Sequence, residues 1–183
     1  MADVVEMCFY TFNQGYYYIL TVDVLSKHAW TIPLKTKSGS EMTTAIAKII
    51  RDDRRCPKNL QTDMGKEFYN ANMQKLLKKC NINLSLFNIF HNESIIELSF
   101  NRTLKNDMWK QFTSNGNYKW IDLLPCLVSK YNARKHWTIG MQPIDVIPMI
   151  ADKLLNTVYS KGRHTPVIQS DSVRVSKFKT IFI

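Results

Sequence analysis

Asn59-Leu60-Gln61-Thr62-Asp63-Met64-Gly65 reads as a short strand that breaks into a turn, and helical patterns bracket it on both sides. Upstream, Met42, Ala45, Ile46, Ile49 and Ile50 recur at helical spacing behind Ser40, an N-cap residue type, and Pro57 ends that unit. Downstream, Met73, Leu76, Leu77 and Cys80 mark a helix over residues 70–79, and residues 83–87 alternate as a further strand. Strands separated by helices pair parallel. Further upstream, residues 3–9, 16–22 and 28–34 are rich in β-branched and aromatic side chains. Short turns at Asn13-Gln14-Gly15 and Leu25-Ser26-Lys27 join them into an antiparallel meander. After a loop over residues 88–92, a helix over 94–112 presents Ile96, Phe100, Leu104 and Met108 to the core. A last helix over 118–132 carries Trp120, Leu123, Leu124, Leu127 and Tyr131, with Pro125 expected to kink it. The order β-β-β-α-β-α-β-α-α predicts an α/β fold, a mixed five-stranded sheet with helices on both faces.

A chain of 183 residues suits one domain with a short appendage. Lysine and arginine number 25 against 15 acids, a net charge of +10, which points to a polyanionic partner. Nucleic acid leads that class, an anionic membrane is second, and a merely solvated basic surface is the plain alternative. No apolar run approaches the ~20 residues that span a bilayer. Residues 1–12 lack the pattern of a signal peptide. Cys8, Cys56, Cys80 and Cys126 are far apart with no CxxC, so they are expected to be reduced, mostly buried thiols of an intracellular protein. After Pro148 the pattern weakens. Residues 151–183 hold six Lys/Arg against two Asp, which reads as a basic linker ending in one alternating strand at 173–176.

Three acids stand where strands or a helix could aim them at a common point. Asp3 is in the first strand, Asp63 follows the fourth, and Glu97 is in the first turn of the helix that begins near Ser94. Gly65 permits a sharp turn that leaves Asp63 at the rim of the sheet. Magnesium favours a few carboxylate oxygens, and two such ions clamp the attacking and leaving oxygens of a phosphoryl displacement. The plainer reading is a turn aspartate and a glutamate that complements a helix dipole.

Several stretches resemble the catalytic domain of retroviral and LTR-retrotransposon integrases, most of all integrase-derived, transposon-encoded proteins of animal genomes. They are residues 2–7, 18–30, 59–68, 100–105 and 140–143, in order over residues 1–147. The resemblance implies a ribonuclease H-like fold and a D,D-E triad binding two Mg²⁺ (or Mn²⁺) ions. It also implies DNA strand transfer, hence DNA as partner, a homo-oligomer and a nuclear location. The triad maps onto Asp3, Asp63 and Glu97, with 60 positions between the first two and 33 residues between the last two. Asp23, in Val22-Asp23-Val24-Leu25-Ser26-Lys27, is the alternative to Asp3. Lys66, Asn101, Arg102 and Lys105 are the expected nucleic-acid contacts, with Lys110 and the loop residue His91 behind them. His136 and Trp137 are expected to pack. By the same resemblance, residues 1–147 are expected to form the catalytic core, and residues 148–183 the basic linker and the start of a small C-terminal SH3-like barrel.

The chain also departs from the family pattern. The family reads Glu, one residue, Phe-Asn-Arg-Thr, whereas Glu97 is followed by Leu98-Ser99-Phe100. Anchored on Phe100-Asn101-Arg102, the catalytic place falls on Leu98, which cannot bind metal. The strand before Asp23 is one residue short, and the chain begins two residues before Asp3. A catalytically inactive, retroelement-derived protein that only binds nucleic acid or a partner is therefore the alternative function.

Overall fold

Alternation along the first strands sends their apolar side chains to opposite layers, which is what a sheet covered on both faces requires. The computed structural model describes residues 2–10, 14–23, 26–53, 57, 59–62, 65–86 and 94–157. Strands β1 (Ala2–Glu6), β2 (Tyr18–Asp23), β3 (Ala29–Leu34), β4 (Asn59–Thr62) and β5 (Asn83–Leu86) form one sheet in the order β3-β2-β1-β4-β5. The β1–β2 and β2–β3 pairs are antiparallel, and β1–β4 and β4–β5 are parallel. This is the mixed sheet expected from the sequence.

Helices α1 (Gly39–Asp53) and α2 (Ala71–Lys79) cover one face, where Met42, Ile46, Met73 and Leu77 pack on Ala2, Leu20, Val22 and Leu60. Helices α3 (Ser94–Asn115) and α4 (Leu124–Asn132) cover the other, where Phe100, Leu104, Met108 and Leu127 meet Val5, Ile19 and Ala29. Asn132 ties α4 to the edge strand: its amide accepts from the Ala29 N–H and donates to the Ala29 carbonyl, both at 2.9 Å.

Several local expectations are corrected. The first strand ends at Glu6, and Cys8–Tyr10 forms a 3₁₀ turn. The last core helix starts at Leu124, so Pro125 lies in its first turn, where a missing N–H costs nothing, and does not kink it. The α1 cap is Ser38 rather than Ser40: its hydroxyl accepts from the Glu41 N–H at 3.3 Å. Residues 148–157, read as the start of a linker, form α5 (Pro148–Thr157). A small cluster of Ile139, Val146 and Leu154 anchors it, and helical periodicity across Pro148 does not reveal a contact made to a preceding loop. Cys8 and Cys126 are exposed rather than buried, because neither points into the two core layers. The expected strand at 173–176 lies outside the described residues.

Candidate active site beside the central strand

β1 is the middle strand, and its odd residues face α3. Val5 is in the α3 layer, while Ala2 and Val4 pack toward α1. Asp3 pairs with Thr21 of β2 and belongs by alternation to the α3 side. Its carboxylate is held at both oxygens. Oδ1 accepts from the Val4 N–H at 2.7 Å, and Oδ2 accepts from Asn101 Nδ2 at 2.7 Å. The Asp3 carbonyl accepts from the Thr21 hydroxyl at 3.2 Å.

The rotation of α3 explains why Asn101 meets Asp3. Phe100, Leu104, Met108 and Phe112 are all buried, at i+4 spacing, and seat one stripe of the helix in the core. Each residue turns ~100° about the axis, so Asn101 stands on the flank beside that stripe. Asn101 Oδ1 is buried without a hydrogen-bond partner. Lys105 lies one turn further on and is exposed, as are Arg102 and Lys66. Lys110 pairs with Asp107 at 3.6 Å.

Of the other acids, Asp63 lies outside the described residues, and only the backbone of Glu97 and Asp23 is described. Thr62, the residue before Asp63, pairs with Ala2, the residue before Asp3. Glu97 lies in α3 one turn before Asn101. Asp23 ends β2 opposite Ala29, two residues beyond the partner of Asp3. His91 lies outside the described residues. His136 is only partly buried, and burial followed by the nearby Lys27 and Arg134 cations lowers its pKa. Trp137 does not pack. It is 89% exposed, on the outside of the turn that His136 and Met141 close.

What braces the turn after β4 carries no signal in the sequence. The Glu67 carboxylate lies over Gly65, where a Cβ would meet it at 2.6 Å, and Lys37 holds it at 3.2 Å. Asn70 then caps α2 through Met73 N–H at 2.9 Å and donates to the Glu67 carbonyl at 2.9 Å. No spacing links Lys37 to Glu67, because the contact joins segments brought together only by the sheet. Among the described residues no three His, Cys, Asp or Glu side chains cluster. The donors present at Asp3, a carboxylate beside a buried amide oxygen lacking a partner, are the hard oxygens that magnesium takes.

The integrase core domain family model matches residues 1–90. A transposon-derived protein of Caenorhabditis elegans is 32% identical over 139 residues, 73% of this chain. The chain spans 47% of that relative's length. Among solved structures, a chain of the simian T-cell lymphotropic virus intasome superposes with a TM-score of 0.67 at 18% identity, covering 96% of this chain and 59% of that one. The catalytic core domain of BIV integrase gives 0.62 at 15% identity, over 88% of this chain and 96% of that one. The HTLV-2 integrase catalytic core domain in complex with magnesium gives 0.60 at 16%, over 80% and 91%. These likenesses establish the fold as that of integrase catalytic cores, which is ribonuclease H-like.

Proposed function

We propose that this chain is a member of the integrase core-domain family, whose model matches residues 1–90, and that it uses its ribonuclease H-like fold for that family's chemistry. The reaction is metal-dependent DNA strand transfer. A DNA 3′-hydroxyl attacks a phosphodiester of a second duplex. A new oxygen–phosphorus bond forms, the bond to the old 3′-oxygen breaks with its electron pair, and the hydroxyl proton leaves to solvent. Asp3, Asp63 and Glu97 would hold Mg²⁺ or Mn²⁺, which when bound stabilises charge on the attacking and leaving oxygens. Asn101 orients the Asp3 carboxylate, and Lys66, Arg102 and Lys105 receive backbone phosphates. DNA as substrate also carries a nuclear location and assembly of several copies as parts of the same proposal.

The observation that carries this reading is the 2.7 Å contact between Asn101 and Asp3. It fixes which flank of α3 faces the central strand. Glu97, four residues before Asn101, stands about 40° from it around the helix axis, whereas Leu98 stands about 60° to the other side. Helical spacing thus supports Glu97 as the acid of the proposed site despite the extra residue before Phe100. The pairing of Thr62 with Ala2 supports a neighbouring exit for Asp63.

The test is incubation of the chain with labelled duplex DNA and Mg²⁺ or Mn²⁺, scored for joined and nicked products. Metal-dependent joining lost in Asp3→Asn, Asp63→Asn and Glu97→Gln is the expected result. Nicking without joining would assign a hydrolytic nuclease. DNA binding with neither product would assign the inactive, nucleic-acid-binding alternative.

A further inference from the structure

The flank of α3 that starts at Asn101 does not end at Lys105. One more turn along it stands Trp109, 45% exposed, in a cluster of aromatic rings. Trp109 meets Tyr10 edge to face, with ring centres 5.2 Å apart and planes at 86°. Tyr10 lies 5.4 Å from Tyr118, which is 51% exposed. Phe112 and Trp120 are buried beneath them. Gln14 locks the segments together. Its Nε2 donates to the Tyr10 and Tyr118 carbonyls, both at 2.9 Å, and its Oε1 accepts from the Ile121 N–H at 3.2 Å. The Trp120 indole donates to the same Tyr10 carbonyl at 3.1 Å. The outer rings are thus set on a fixed base, so little ordering is left for a ligand to impose.

The surroundings decide what such a surface takes. Lys105 is exposed one turn before Trp109, Lys110 follows Trp109, and Lys119 is exposed next to Tyr118. Asp107 is engaged by Lys110 at 3.6 Å and Arg134 at 3.3 Å, which leaves Asp122 as the acid nearest in sequence to Tyr118. A protein–protein contact core is depleted of charge. Exposed aromatic rings interleaved with lysines are instead the means by which unpaired nucleic-acid strands are held, bases on rings and phosphates on cations. From Asn101 to Trp109 the helix rises about 12 Å, a span of a few nucleotides from Asp3.

We propose that Tyr10, Trp109 and Tyr118 form a stacking subsite for unpaired bases at the end of a DNA substrate, reached along Lys105. The inference rests on the DNA reading above and extends it to a preference for frayed or single-stranded ends. The subsite holds the bases, and phosphates along α3 set the distance to Asp3.

The test is equilibrium binding in EDTA, which removes the need for chemistry. The probes are a duplex with a short single-stranded 3′ extension, the same duplex with an abasic extension, and a blunt duplex. The wild-type chain binds the base-bearing extension about tenfold more tightly than the abasic one. The doubly substituted Trp109→Leu, Tyr118→Leu chain loses that ratio while its salt dependence is unchanged, and Trp109→Phe retains most of it. Lys105→Gln weakens all extended probes alike and lowers the salt slope by about one. Equal binding of base-bearing and abasic probes by the wild type overturns the inference and leaves the strand-transfer reading standing. A change from dimer to monomer on Trp109→Leu, seen by sedimentation, also overturns it and assigns the surface to a second copy. Failure of all three probes to bind overturns both.

Discussion

Asn101, a nucleic-acid contact by the sequence, has the Asp3 carboxylate as its described contact, at 2.7 Å. An Asn–Asp pair 98 positions apart carries no local signal, whereas the family-like stretch over residues 100–105 marks the right turn of the helix. The pair yields a sharp prediction. Asn101→Asp replaces a donor with a second carboxylate beside the first, and like charges at that distance disfavour joint ionisation. In EDTA the variant melts a few degrees below the parent, since about 1 kcal/mol corresponds to roughly 2–4 °C in a chain of this size. Magnesium narrows that gap by binding the folded state. Thermal melts with and without millimolar Mg²⁺ check it, and equal melting of both proteins in EDTA would show that residue 101 does not face Asp3.

At the scale of elements, α1 is held at its start by one carboxylate. Glu41 accepts from the Lys35 and Thr36 N–H groups at 2.6 and 2.8 Å and from the Thr36 hydroxyl at 2.6 Å. Burial alone would raise its pKa, but these hydrogen bonds outweigh it and hold the carboxyl below the ordinary value of 4.5. A depressed carboxylate contributes stability that is present above the unfolded pKa and lost as pH falls through the folded one. Glu41→Gln is therefore expected to lose about 0.5–2 kcal/mol at pH 7, a capping-sized effect. The difference from the parent closes as pH falls below about 4.5, the unfolded value. Urea titrations at pH 7 and pH 3.5 measure it. Strand and helix types are legible in the sequence at this scale wherever periodicity is strong: the meander, the parallel strands, and the long α3. What is not legible depends on tertiary contact. Residues 118–123 carry helical spacing, with Trp120 buried, but 118–120 are irregular, 121–123 form a turn and α4 begins only at Leu124. The α5 helix is set by the Val146–Leu154 cluster rather than by its own pattern.

For the whole molecule, the two apolar layers are what place the candidate chemistry. One layer fixes β1 from the α1 side, and the other fixes the turn of α3 that meets it. The net charge of +10 suits the polyanionic partner proposed above. Order of elements, sheet class and the identity of the three acids can all be argued from the sequence. Their proposed convergence cannot, because it depends on helix rotation and strand register, which packing among residues far apart in the chain sets. The central claim is that Asp3, Asp63 and Glu97 make one metal centre. Titration calorimetry of Mn²⁺ into the DNA-free chain tests it most directly. The account predicts saturable binding in the parent that is abolished or weakened at least tenfold in each of Asp3→Asn, Asp63→Asn and Glu97→Gln. Binding that survives unchanged in Glu97→Gln, or no binding in the parent, would contradict it.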